Sequence, residues 1–347
     1  MKKFRLFFHK LTHWEYWPYQ IIYFPVYFQY LFYVLRTRSL FYFNASNPTI
    51  KNGGFFMESK KEIYDLIPQQ YYPKTELIKT GTNFSAIETQ IQNGNLQFPL
   101  IAKPDIGLRG TAVKKLYNPE EVKSYWQKAD FDFLLQDCIP FSNEIGLFYV
   151  KLPKEEKGRI TGIVWKEFLI VTGNGKENIR EILLKDPRYE FQIEVLEKEY
   201  NNYLDTILPE GETFNLVPYG NHCRGTKFID RSHKITTKLE ATFTEICNQI
   251  EGFHYGRMDI MFTDFEDLEN GKNFQIVEIN GAISEPTHIY DPKHSIFFGW
   301  KELIRHYHYL YLISKDNHKK GAPYLSTTQG INEFKKHIEF YNTILKF

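Results

Sequence analysis

Two short stretches put charged and oxygen-bearing side chains where a folded chain has little structural use for them. The first is Gly256-Arg257-Met258-Asp259-Ile260, followed after an acidic polar stretch by Gln275-Ile276-Val277-Glu278-Ile279-Asn280-Gly281. Alternation along a strand turns Arg257 and Asp259 to one face, and Glu278 and Asn280 likewise. Paired as a hairpin, the two strands present three oxygen donors (Asp259, Glu278 and Asn280) and one guanidinium to the same space. Hard oxygen ligands of this kind suit Mg²⁺, which keeps several waters and bridges substrate phosphates. The structural alternative is a salt-bridged hairpin in which Arg257 neutralises both carboxylates. Glu278 argues for function, because a charge set directly among Ile, Val and Ile is expensive to bury.

The second stretch is Phe98-Pro99-Leu100-Ile101-Ala102-Lys103-Pro104-Asp105-Ile106-Gly107-Leu108-Arg109-Gly110-Thr111. An apolar strand over residues 98–102 delivers Lys103 at its end, and a glycine-bearing loop follows. Glycines let backbone N–H groups approach an anion, and the lysine adds a fixed positive charge. The lysine precedes the glycines and no Gly-Lys-Ser/Thr follows, so this is not a P-loop. A strand end with a surface lysine and a tight turn is the plain alternative.

The elements that must position these residues alternate between strand and helix. The pattern predicts a short helix over 58–66, a helix over 119–128, strands over 133–136 and 160–172, and a helix over 232–252. Strands over 257–262 and 273–279 follow, then a helix over 300–313. This is an α+β pattern. Within the last helix, His306 and His308 are two apart and share no face, so packing is their default role. His222 and Cys223, adjacent in Gly220-Asn221-His222-Cys223-Arg224-Gly225-Thr226-Lys227, point to opposite faces of an extended chain and make no nucleophile pair.

Taken in order, these blocks resemble the ATP-grasp superfamily, and within it the branch of D-alanine–D-alanine ligase and cyanophycin synthetase. The resemblance runs over about residues 58–291. It includes Leu134-Leu135-Gln136-Asp137-Cys138-Ile139-Pro140 with Glu144, similar to an interlobe hinge, and Gly173-Asn174-Gly175, similar to a Gly-Asp-Gly block. It implies two α+β lobes clasping ATP, with Lys60, Lys103, Gly107, Arg109 and Gly110 around the phosphates. Gln136 and Ile139 would meet adenine and Glu144 the ribose. Asp259, Glu278 and Asn280 would hold Mg²⁺, with Arg257 and Asn280 as catalytic groups. The implied reaction joins a small-molecule carboxylate to an amine or similar nucleophile through an acyl phosphate, releasing ADP and phosphate. An ATP-grasp phosphotransferase without ligation, and a membrane-tethered nucleotide-binding interaction protein, are the alternatives. The chain departs from the family at Gln136 and Asn174, where acids are common, and in the stretch Gly281-Ala282-Ile283-Ser284-Glu285-Pro286-Thr287-His288. That stretch borders the acceptor, so substrate identity does not transfer.

The 347 residues carry 43 basic and 42 acidic side chains, a net charge of +1 that gives no bulk reason to expect nucleic acid. Cys138, Cys223 and Cys247 are odd in number and far apart, which fits a reducing, cytoplasmic compartment better than a disulfide framework. Aromatic residues reach 17% and crowd the front. Residues 16–35 lack charge but contain Pro18 and Pro25 and many tyrosines, a composition suited to the headgroup layer. Three readings stay open: peripheral contact with the inner membrane face through residues 1–45, packing on the protein's own core, and a true span. The resulting division is an aromatic segment over 1–57, ATP-grasp lobes over 58–140 and 141–325, and a C-terminal helix over 326–347.

Overall fold

The computed structural model describes residues 2–347 except 108–109, 218–219 and 221–224, with the backbone alone of Lys2 and Lys3. Arg109 and the His222-Cys223 pair therefore lie outside the described residues. In chain order the elements are α1 (Lys2–Thr12), α2 (Tyr19–Ile22), α3 (Phe24–Thr37), α4 (Lys60–Leu66), β1 (Thr75–Ile78), α5 (Phe84–Asn93), β2 (Leu100–Pro104), β3 (Lys114–Leu116), α6 (Pro119–Lys128) and β4 (Phe133–Asp137). There follow β5 (Asn143–Val150), β6 (Arg159–Glu167), β7 (Leu169–Thr172), α7 (Ile179–Leu183), α8 (Pro187–Glu190), α9 (Ile193–Tyr200) and β8 (Thr213–Val217). The chain closes with β9 (Lys227–Asp230), α10 (Thr237–Asn248), β10 (Tyr255–Phe262), α11 (Phe265–Glu269), β11 (Phe274–Asn280), α12 (Ile296–Lys319) and α13 (Thr327–Ile344).

Many helix starts are written locally. Ser59, Asn83, Asn118, Thr236, Ser295 and Ser326 each accept a hydrogen bond from a backbone N–H in the first turn of the helix they precede, satisfying one of the donors a helix start leaves unpaired. Ser59 accordingly starts α4 at Lys60 and leaves Glu58 outside, and Thr236 starts α10 later than the apolar spacing suggests. The acidic stretch between β10 and β11 holds α11, capped by Asp264.

The fold is α+β with antiparallel sheets, as the sequence pattern indicates. A four-stranded sheet has the order β1-β4-β2-β3, a five-stranded sheet the order β11-β10-β5-β6-β9, and β7-β8 form a ribbon. Residues 160–172, read as one strand, are two: β6 pairs with β5 and β9, whereas β7 pairs with β8. The apolar run Phe168-Leu169-Ile170-Val171 does not mark the break at Phe168, so the change of partner is a tertiary event.

Each of the two larger sheets has an apolar face and a face turned to the site. Ile145, Leu147, Ile163, Met258, Ile260, Phe262, Ile276 and Ile279 pack with Leu239, Phe243 and Ile246 of α10 in one core, which Tyr64 of α4 and Leu134 of β4 also join. Leu100, Ala102, Phe133 and Leu135 form a second core with Val122 and Tyr125 of α6 and with Ile344 of α13. The opposite face of the four-stranded sheet carries Lys103 and Gln136.

The aromatic front divides between inside and outside. Trp14, Ile22, Val26, Tyr33, Tyr42 and Phe43 are buried, and α3 lies along α12, with Tyr33 and Tyr311 stacked at 4.0 Å. The other side of the same helices faces outward. Among the described residues, no helix is long and apolar enough to cross a membrane.

Candidate active site

The register of β10 against β11 pairs Arg257 with Asn280 and Asp259 with Glu278. Directly paired residues share a face, so the four side chains singled out in the sequence stand together on one side of the hairpin. A bulge falls between Asp259 and Ile260, whose partners are Glu278 and Ile276. Val277 is the extra residue. A bulge leaves its extra residue outside the ladder, and the Val277 carbonyl accepts from the Tyr64 hydroxyl and from Lys103 Nζ at 3.4 Å. The bulge thus docks the four-stranded sheet onto the five-stranded one.

Lys103 lies within β2 rather than beyond its end, and it is buried. Its Nζ donates to Tyr64 Oη at 2.8 Å and to Gln136 Oε1 at 2.9 Å. These partners and the Val277 carbonyl are all neutral. Burial, with Lys60 nearby adding to the effect, lowers the Lys103 ammonium to about 7. Lys60 projects from the first turn of α4 and reaches Glu278 Oε1 at 2.6 Å. Burial opposes charge on both partners, yet their mutual attraction raises the lysine and lowers the carboxyl. A Cβ on Gly107 would collide with Lys60 Nζ and come within 3.5 Å of Glu278 Oε1. A side chain there would displace the Lys60 ammonium from its place beside Glu278. Gly110, with φ +81°, closes the same loop.

On the neighbouring strands a second run of charges continues from Asp259. Arg257 Nε donates to Asp259 Oδ1 at 2.8 Å and Nη2 to Oδ2 at 3.2 Å, while Lys166 Nζ bridges Asp259 Oδ2 at 3.0 Å and Glu144 Oε1 at 2.5 Å. Burial pushes the Asp259 carboxyl up, but Arg257 and then Lys166 outweigh it and hold the group at about 2. The salt-bridged hairpin is therefore present for Asp259, whereas Glu278 is neutralised by Lys60 instead. Gly220 lies over Lys166, where an added Cβ would stand 3.0 Å from the Glu144 carboxylate. Glu144 is thus an ion-pair partner in this arrangement, and Ile139 follows β4 half-buried.

Lys166, Tyr64 and Asp105 belong to the site and were not singled out in the sequence. Lys166 had the same signal as Glu278, a charge inside an apolar strand. Asp105 accepts from the backbone N–H of Lys61 at 2.9 Å, and its carbonyl accepts from that of Lys60 at 3.0 Å, fixing the start of α4 to the end of β2. Asn174 serves its own turn, accepting from the backbone of Lys176 and Glu177. His306, fully buried, is held by Thr161 Oγ1 at 2.8 Å and the Glu302 carbonyl at 2.8 Å, a packing role.

Two observations bear on whether these residues suit a nucleotide and its metal. Lys103 is a buried lysine whose hydrogen-bond partners among the described residues are all neutral, an environment completed by an anion. The Asn280 amide nitrogen is buried and unpartnered among the described residues, beside the two carboxylates. Among those residues no group of three or more His, Cys, Asp or Glu is arranged to hold a metal. One or two carboxylates with phosphate oxygens are the usual Mg²⁺ environment, so the donor set fits that ion.

No family model and no curated protein matches the chain. Among solved structures it is similar to a D-alanine–D-alanine ligase from Bacillus anthracis, at 14% identity over 76% of this chain and 69% of that one, with a TM-score of 0.43. It is similar also to the VanG D-Ala:D-Ser ligase from Enterococcus faecalis, at 15% identity over 73% of this chain, with a TM-score of 0.40. A third is a bifunctional glutathione synthetase from Pasteurella multocida, at 14% identity over 74% of this chain, with a TM-score of 0.39. The chain spans 61% of the VanG ligase and 38% of the synthetase. These likenesses concern the fold.

Proposed function

We propose that the chain is an ATP-dependent, Mg²⁺-requiring ligase of the ATP-grasp kind, joining a small-molecule carboxylate to an amine or similar nucleophile through an acyl phosphate. The observation that carries this reading is the convergence of Lys60 and Lys103 beside Glu278, under the Gly107 loop and between the two sheets. A buried lysine that hydrogen-bonds no acid among the described residues is costly, and a polyphosphate would supply the missing charge. Lys60, Lys103, Gly107, Arg109 and Gly110 would hold the phosphates, with Gln136, Ile139 and Glu144 on the nucleoside. Asp259, Glu278 and Asn280 would hold Mg²⁺, which shields charge on transferring phosphoryl oxygens when bound. The protein's own part is positioning and charge compensation, which suffice for phosphoryl transfer without a protein nucleophile. Arg257, held by Asp259, would stabilise the oxyanion formed when the amine adds.

The test is ADP and phosphate release by the full chain with ATP and Mg²⁺ against pools of small carboxylates and amines. Ligation gives ADP and free phosphate in equal amounts, dependent on both substrates. ADP with a phosphorylated acceptor and no free phosphate would make the chain a phosphotransferase. Nucleotide binding without acceptor-dependent ADP would make it an interaction protein.

A further inference from the structure

α1 leaves its apolar side uncovered. Its Arg5 bonds the Glu190 carboxylate and the Leu184 carbonyl, and Lys10 lies over the Phe191 ring at 4.7 Å. Arg5 and Lys10 both stay exposed along the flank of the helix, and Phe4, Phe7, Phe8 and Leu11 are left bare, Phe4 at 68% exposure. α3 has the same bias: Phe24, Phe28, Leu31 and Leu35 recur at helical spacing on its outer side, with Phe28 62% and Leu35 78% exposed. Gln29 Nε2 donates to the Ile304 carbonyl at 2.9 Å, which sets α12 beside α3 and brings the exposed Ile304 to the same region. Folded monomers rarely leave so many large apolar side chains uncovered together, and such surfaces mark a partner.

Charge decides which partner. Residues 1–45 contain six basic side chains, Lys2, Lys3, Arg5, Lys10, Arg36 and Arg38, against one acid, Glu15. Glu15 is itself paired with Arg188 at 2.5 Å. Arg36 and Arg38 are exposed where α3 ends. A second copy docked by this face would bring two basic rims together, whereas anionic headgroups neutralise them. The exposed residues are Phe, Tyr and Leu with flanking Arg, the composition of a helix lying in the headgroup layer. We propose that α1, α2 and α3, with the adjoining part of α12, form a docking face for an anionic lipid bilayer, the helices lying in its interface.

The experiment uses the full-length protein and vesicles of phosphatidylcholine alone or mixed with phosphatidylglycerol. Co-sedimentation with the mixed vesicles is expected, weakened by high salt and weaker on phosphatidylcholine alone. Arg36→Glu with Arg38→Glu should reduce it by about tenfold or more. Phe24→Ser, Phe28→Ser and Leu31→Ser together should abolish it while circular dichroism stays unchanged. Three results would overturn the proposal: protein left in the supernatant with both vesicle types, equal binding to both, or a concentration-dependent dimer that the serine substitutions dissociate. None of these outcomes depends on ADP release, so the ligase reading stands or falls separately.

Discussion

Lys103 separates a structural from a functional account of the cleft. Its folded-state value of about 7 lies far below the ordinary 10.5 of an exposed lysine, so between those pH values the unfolded chain binds the extra proton. Stability then rises with pH across the window, and the full burial penalty is present below about pH 7. Replacing Lys103 with Met removes that penalty. Measured by denaturation, the variant should gain on the wild type as pH falls from 10 toward 7, whatever packing it loses. ATP turnover should fall on the order of 100-fold or more, as for loss of a preorganised charge-stabilising group. Polyphosphate binding should also restore the ammonium, so calorimetry at pH 8 in buffers of different ionisation heat should reveal uptake of up to about one proton. A flat pH difference would mean that the lysine keeps an ordinary ammonium when folded, and no uptake would mean that it is merely packed.

At the level of elements, the large sheet works because its two faces are unlike. One is continuous with the α10 core, and the other carries Asp259, Glu278 and Arg257 beside Gly146 and Gly162. The absence of a side chain leaves room for Arg257 at Gly146 and for the stretch after β11 at Gly162. A Cβ on Gly146 would stand 3.0 Å from Arg257 Cδ, and one on Gly162 would collide with the His288 ring. His288 is buried, 3.5 Å from the Glu302 carboxylate, and has little room to retreat. Gly162→Ala should therefore cost about 1–3 kcal/mol as an overpacked site. Because His288 belongs to the stretch that leaves Asn280, acceptor-dependent turnover should fall further than ATP affinity. Unchanged denaturation midpoints would show that the stretch over the sheet is loosely held.

Across the whole molecule, α13 ties distant parts of the chain together. It gives Ile344, with Phe340 and Phe347 alongside, to the core of the four-stranded sheet. Its Glu333 accepts from Asn52 Nδ2 at 3.2 Å, and its Gly330 lies against the Phe41 ring. Removing residues 327–347 should lower stability by several kcal/mol, given about 2–5 kcal/mol for each large core side chain lost. It should also weaken nucleotide binding, because Lys103 stands on the sheet so uncovered. Intact cooperativity and affinity after the deletion would contradict this. The front of the chain is bound in similarly: Trp14 donates to the His294 carbonyl at 2.7 Å, and Tyr23 bonds the Glu285 carboxylate in the stretch after Asn280. Cutting away residues 1–45 would uncover core, which is why the docking face is better tested by surface substitutions.

Much of this was legible locally. The α6 helix, the β10 and β11 strands and the shared face of Asp259, Glu278, Arg257 and Asn280 follow from periodicity and from the cost of burying charge, which act within a few residues. Lys103 was legible as a charged residue at an apolar strand, but not as a buried one. The Val277 bulge, the pairing of Glu278 with Lys60 rather than Arg257, and the split of residues 160–172 between two sheets needed the tertiary structure. Each depends on which segment comes to lie opposite, and alternation along one strand carries no information about its partner. The aromatic front shows the same limit: composition left interface contact and core packing both open, and only the packing of α3 on α12 decided which side is core and which is bare.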